Sequence, residues 1–116
     1  MNSKSNQSRS NSNRQSSRQH AIAPILEMAG RWGNLLTSQK FTELDEMTRL
    51  APGTGSIGGG NSKVQELLKL GVQKGKVYAS PDGSAFISME SGGKVVGCAY
   101  VQVSGKFITE ARISVF

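Results

Sequence analysis

Apolar and polar residues change rhythm once along this chain. In two stretches before residue 72, apolar positions recur at three- and four-residue spacing; from Lys76 onward they fall into short β-prone runs. The second half reads Lys-Val-Tyr-Ala-Ser, Pro-Asp-Gly, Ser-Ala-Phe-Ile-Ser-Met-Glu, Ser-Gly-Gly, Lys-Val-Val-Gly-Cys-Ala-Tyr-Val-Gln-Val, Ser-Gly, Lys-Phe-Ile-Thr-Glu-Ala-Arg-Ile-Ser-Val-Phe. β-Branched and aromatic residues suit a pleated, half-buried surface, and glycine at each junction supplies the positive φ of tight turns. The junctions are too short for crossovers, so the pattern predicts an antiparallel meander over residues 76–116. In the last run Phe107, Thr109, Ala111, Ile113 and Val115 fall on one face, with Glu110, Arg112 and Ser114 on the other. Period two with one apolar face predicts a sheet covered on one side.

The cover is expected from residues 21–71. Ile25, Met28, Ala29, Trp32, Leu35 and Leu36 form one stripe of a helix over Ala21 to Thr37, with Pro24 suited to its first turn. Gly30 and Gly33 weaken that helix by about 1 kcal/mol each relative to alanine, which points to close approach by another element. Trp32 suits the core or an interface better than a base-stacking position. Thr42 is the expected cap of a second helix ending near Ala51, with Asp45 at the capping-box position and Leu44, Met47 and Leu50 inward. Glu43, Asp45 and Glu46 complement its dipole. Residues 52–62, Pro-Gly-Thr-Gly-Ser-Ile-Gly-Gly-Gly-Asn-Ser, contain a Gly-x-Gly-x-x-Gly string. A helix rather than a strand precedes it, and no Gly-Lys-Ser/Thr follows, so a connector is expected instead of a nucleotide loop. Ser62 is the expected cap of a third helix, with Gln65 completing the box, Val64, Leu67, Leu68 and Leu70 apolar, and Gly71 as the stop. Layer logic then gives an α+β fold, short helices on one face of a four-stranded antiparallel meander.

Charge adds an appendage to this domain. Residues 1–20 are dominated by Ser, Asn and Gln, with Lys4, Arg9, Arg14 and Arg18 and no acid. Such a segment buries too little to offset its ordering entropy, so a disordered arm is predicted. It carries +4 of the net +6, leaving +2 for the domain over 21–116. Arginines in a serine background can follow a phosphate backbone, with affinity that falls steeply in salt. Lys63, Lys69, Lys74 and Lys76 form a second candidate patch, opposed by Glu66 alone. RNA-binding candidates are therefore Lys4, Arg9, Arg14, Arg18, Lys63, Lys69, Lys74 and Lys76. The bland alternatives are a solubilising tail and a solvated helix face.

Other chemistry is not signalled. His20 is the only histidine and lies in the arm, so no nucleophile–base arrangement assembles on a rigid frame. No zinc spacing occurs, and no cofactor or metal is implied. Cys98 is the only cysteine, expected as a small buried hydrophobe. No apolar run approaches the ~20 residues of a membrane span, and the N-terminus lacks a signal peptide's apolar core. An intracellular, reducing compartment is the expectation.

Two families share partial patterns with the chain. Ser62-Lys63-Val64-Gln65, the link through Gly71 and Gly75, Lys76-Val77-Tyr78-Ala79, the turn Ser80-Pro81-Asp82-Gly83 and Ser84 to Glu90 together resemble the dimerisation domain of small nidovirus, arterivirus-type nucleocapsid proteins. The Ser/Arg/Asn-rich arm also resembles the serine-arginine segment of coronavirus nucleocapsids. This resemblance implies RNA packaging by Lys4, Arg9, Arg14 and Arg18, a homodimer or higher oligomer whose sheet continues across the interface, and residence in the host cytoplasm and the virion. The two strands beginning at Lys94 and Lys106 extend past that family's pattern. Separately, Leu50-Ala51-Pro52-Gly53, Ser56-Ile57-Gly58-Gly59 and Val77 to Ser80 resemble barnase-like ribonucleases, whose catalytic histidine has no counterpart after residue 20. The leading expectation is a non-enzymatic RNA-binding and packaging protein. The alternatives are a small nuclease acting through Glu90, Glu110 or Arg112, and a protein-interaction adaptor.

Overall fold

A sheet with one apolar face needs a cover, and the first half of the chain supplies it. The computed structural model describes residues 21–116. The predicted disordered arm, with Lys4, Arg9, Arg14, Arg18 and His20, lies outside the described residues. The fold is α+β. Helix α1 occupies residues 21–37, α2 Phe41–Glu46 and α3 Ser62–Lys69; strands β1 Gln73–Ala79, β2 Ser84–Ser91, β3 Lys94–Ser104 and β4 Phe107–Val115 follow. The strands pair antiparallel in the order β1-β2-β3-β4, the predicted meander.

The α1 stripe packs inward as its periodicity requires: Ile25, Ala29, Trp32, Leu35 and Leu36 are buried. Gly33 is where α1 meets the sheet. A Cβ there would lie 3.0 Å from Ile87 Cγ2 and 3.2 Å from Lys74 Cδ, so the glycine allows the approach its helix propensity opposes. On the sheet side Ala85, Ile87, Met89, Ala99, Val101, Val103, Ile108 and Ile113 complete the core, and Val64 and Leu67 of α3 close it from above. No buried side-chain N or O among the described residues lacks a hydrogen-bond partner.

The helix ends differ from expectation for local reasons. Thr42 does not cap α2; Lys40 holds the N-cap position without a side-chain bond, and Thr42 sits exposed inside the helix. Helix α2 stops at Glu46 instead of Ala51 because the chain leaves it to pair with β4. Thr48 forms a parallel bridge to Ile108; Arg49 N–H donates to Ile108 O at 2.7 Å, and Ile108 N–H donates to Met47 O at 2.8 Å. Asn61, not Ser62, caps α3: its Oδ1 accepts from the N–H groups of Lys63 (3.0 Å) and Val64 (3.1 Å). Gln65 reaches back to Gly59 O instead of forming a box with Ser62. Gly71 stops the helix at φ 68°, as expected, but Leu70 beside it is exposed.

Strand β1 begins at Gln73, three residues earlier than predicted. Gly92 and Gly93, at φ 59° and 80°, make the two-residue turn between β2 and β3, where both central residues need positive φ. The largest correction lies in β4. Phe107 was expected on the covered face, but Ile108 is buried and Phe107 is exposed. A bulge causes this: Val103 pairs with Ile108 and Gln102 with Glu110, so Thr109 is an extra residue and the alternation slips by one. Phe107 turns outward beneath Arg49, whose Cζ lies 4.7 Å from the ring centroid.

Trp32 is fully buried, and its Nε1–H donates to Thr48 Oγ1 at 3.1 Å. Thr48→Val keeps shape and β-branching but removes the acceptor, leaving a buried donor unpaired. Urea unfolding should show a loss of about 1–3 kcal/mol; an unchanged midpoint would mean the indole finds another acceptor. A second expectation concerns the β1–β2 turn. Asp82 Oδ1 accepts from Ser84 Oγ (2.7 Å) and Ser84 N–H (2.9 Å), and these bonds hold the carboxyl below its ordinary value of 3.8. Because the folded value is the lower one, the contribution is present above 3.8 and is lost as pH falls through that lower value. Asp82→Asn should therefore flatten this acid-side part of the stability–pH curve, measured by thermal unfolding; an unaltered acid limb would show that the turn is not the group responsible.

Candidate nucleic-acid interface

The strand pairing sorts side chains into rows that cross the sheet. On the covered side Val77, Ile87, Ala99 and Ile113 lie in one row, and Ala79, Ala85, Val101 and Ala111 in the next. The opposite face carries three others. Tyr78 pairs with Phe86, Phe86 with Tyr100, and Tyr100 with Arg112, giving one row of three aromatic rings ending in a guanidinium. Ser84, Gln102 and Glu110 form the row on one side of it, and Ser88, Cys98 and Ser114 the row on the other. Cys98 is thus half-buried on the outer face, a correction to the buried position expected of it.

Two of the rings stand in solvent and Tyr100 is half-buried between its neighbours. Tyr78 is 59% exposed and Phe86 50%. Phe86 and Tyr100 touch with centroids 5.3 Å apart at 58°, the tilted geometry aromatic pairs favour. Arg112 Cζ lies 5.9 Å from the Tyr100 ring centroid, within cation–π range. Arg112 also donates from Nη2 to Glu110 Oε1 at 2.7 Å. Two depressions share this ion pair. One, of about 420 Å³, is lined by Phe86, Cys98, Tyr100, Glu110, Arg112 and Ser114. The other, about 500 Å³, runs along the β4 edge between Leu50, Ala51 and Thr54 and residues 109–112.

The predicted basic residues are placed less compactly. Lys63 and Lys69 are exposed on α3, but six residues turn a helix by about 600°, so they project roughly 120° apart. Lys74 pairs across from the buried Met89 and lays its stem beside Gly33 on the covered side, with Nζ donating to Gly75 O at 3.4 Å. Lys76 is exposed at the β1 bulge, where its N–H donates to Ser88 Oγ at 2.8 Å. Of the four, Lys76 adjoins the outer face. The groups considered for acid–base work are also split: Glu90 stands on β2 beside Ser88, while Glu110 and Arg112 lie on β4 with β3 between. No cluster of three or more metal-ligating His, Cys, Asp or Glu side chains occurs among the described residues, and no helix among them is long and apolar enough to cross a membrane.

The charges stand out in the sequence, whereas the ring row does not. Its signal was present in each strand: Tyr78, Phe86 and Tyr100 each alternate with apolar residues that point inward. Knowing that they align needed the register.

The chain has no significant match to any family model, to any curated protein or to any solved structure.

The Glu110–Arg112 pair is exposed, with side chains 43% and 75% accessible respectively. Solvent-screened pairs of this kind contribute at most about 1 kcal/mol. Glu110→Gln should therefore leave the urea midpoint nearly unchanged while raising the positive potential beside the rings. A large destabilisation would show that the pair fixes β4 instead.

Proposed function

We propose that this chain is a non-enzymatic RNA-binding and packaging protein of nucleocapsid type, whose folded domain self-associates. The observation that carries the reading is the segregation of charge. Residues 1–20 hold four cations and no acid, while residues 21–116 are close to balance at +2. A phosphate backbone is the partner such an arm suits, because each neutralised phosphate releases counterions and the contact needs no fixed geometry. The two outer strands support the second half of the reading. Strands β1 and β4 each present an edge, and among the described residues the backbone pairing on these edges is that of residues 47–49 at the Ile108 end of β4. Free backbone donors and acceptors along an edge favour pairing with a second copy. In this role the protein works in the cytoplasm of an infected cell and in the virion.

The test uses labelled single-stranded RNA and the full chain, beside a full-length variant with Lys4, Arg9, Arg14 and Arg18 all changed to Gln. Retarded, intact RNA is expected, with log affinity falling with log salt more steeply for the natural chain. Four phosphate contacts on a single strand correspond to a difference in slope of about 3. Light scattering of the free protein should give twice the chain mass or more. Shortened RNA would replace packaging by a ribonuclease reading, and unshifted RNA at low salt would leave an adaptor.

A further inference from the structure

We propose that the outer row Tyr78–Phe86–Tyr100–Arg112 is a stacking platform for the bases of single-stranded RNA. The inference rests on the RNA-binding reading above and assigns it a site in the folded domain. Three observations support it. First, the rings are in register: each pairs directly with the next across β1, β2 and β3, and Arg112 continues the row on β4. Adjacent strands lie about 4.8 Å apart, so the row sets three rings side by side along one line, Phe86 and Tyr100 tilted by 58°. Antiparallel sheets that bind single strands stack two or three unpaired bases on rings placed in this way.

Second, the flanking rows suit base edges and not an apolar partner. Ser84, Gln102, Ser88 and Ser114 line both sides of the rings; Ser84 Oγ and Gln102 Nε2 donate to Asp82 and Ser88 Oγ accepts from Lys76 N–H, so what they keep for a base edge is chiefly acceptor capacity. A second apolar surface laid here would offer no partner to the remaining acceptors of these groups or to the exposed Glu110–Arg112 pair. Nucleobases bring donors and acceptors of their own. Third, a cation stands at each end of the row, each with a carboxylate near it, Glu110 paired with Arg112 and Glu90 beside Ser88. Arg112 stands at one end and exposed Lys76 lies next to Ser88 at the other. A strand lying across the sheet would thus pass from one cation to the other, with its bases on the rings between.

Stacking is tolerant of sequence because every base has a π face, which suits a packaging protein. It also differs from arm binding in one measurable respect: it requires the bases. Affinity is therefore to be measured with the full chain for an oligoadenylate of about twelve nucleotides, inside the ~4–16-nucleotide footprint of sheet-based single-strand binders. The comparison ligand is an abasic sugar-phosphate oligomer of equal length and charge. Oligoadenylate should bind more tightly by at least about fivefold for each base that stacks. Phe86→Thr and Tyr100→Thr, which put β-branched residues of good strand propensity in place of the rings, should remove most of that difference and leave abasic binding unchanged. Emission of the buried Trp32 monitors folding of each variant.

A second readout needs no substitution. Cys98 is the only cysteine of the chain and lines the same depression as Phe86 and Tyr100. Alkylation of its thiol by iodoacetamide should slow several-fold when oligoadenylate is bound, and should not slow with the abasic oligomer. Equal affinities for the two oligomers, with no protection of Cys98, would overturn the platform and leave RNA binding to the arm. Loss of self-association in the threonine variants, with the base-dependent affinity intact, would reassign the row to a contact between copies of the chain. No binding of either oligomer at low salt would overturn the platform together with the RNA-binding reading.

Discussion

One buried hydrogen bond ties the layers of this protein together. Trp32 is the largest fully buried side chain, and its indole N–H can only donate. Thr48 Oγ1 accepts that bond, and its own O–H donates to Leu44 O at 2.6 Å. Thr48 is held in place by backbone bonds from both of its neighbours to Ile108. Helix α1, the end of α2 and strand β4 therefore meet at one hydroxyl. An indole buried without an acceptor is expensive, so this geometry constrains what surrounds it. Helix α2 ends at Glu46 so that Thr48 can lie beside β4. Ile108 faces inward at the bridge, and the bulge at Thr109 reconciles that orientation with the alternation of Ala111 and Ile113 further along. Phe107 is turned outward as a consequence.

Placing all three helices on one side decides where surface chemistry can sit. Helix α1 meets β1 and β2 through Gly33, α3 meets β3 through Leu67 against Gly97, and residues 47–49 close one end of the β4 edge. The other face is left with the alternate residue of every strand. Most of these are polar, which is the ordinary outcome for a half-solvated antiparallel sheet. Tyr78, Phe86 and Tyr100 depart from that outcome, and they do so in one row instead of being scattered.

Much of the fold was legible in the sequence because the residues involved act locally. Glycines at positive φ fixed the turns, period two fixed the strands, and the Ile25-to-Leu36 stripe fixed the inward face of α1. Less legible were features set by contacts distant in sequence. Nothing near Thr42 says that α2 must end early; the reason is Ile108, far along the chain. Asn61 and Ser62 are both competent caps, and the choice depends on how the preceding loop arrives. The slip at Thr109 reverses Phe107 because a single inserted residue changes every facing before it, while the local composition stays the same. Lys74 reads as a free cation in sequence, yet its stem packs at the α1–β1 seam. The ring row is the clearest instance: each aromatic residue is visible alone, and their alignment is a property of register.

Under the proposed function, arm and sheet face do different physical work. The arm carries most of the net charge, so it acts at long range and loses strength as salt shortens the screening length. The outer face carries Arg112 beside Glu110, and this pairing moderates its pull on phosphate while leaving the rings accessible. Stacking acts only in contact and is the less salt-dependent of the two. Covalent linkage makes the second contact intramolecular once the first has formed, so two individually weak contacts give one strong attachment. A protein that must coat RNA of any sequence gains from this division. Neither phosphate contact nor stacking reads bases closely, and the balanced charge of the folded domain lets neighbouring copies approach along their open strand edges without strong mutual repulsion.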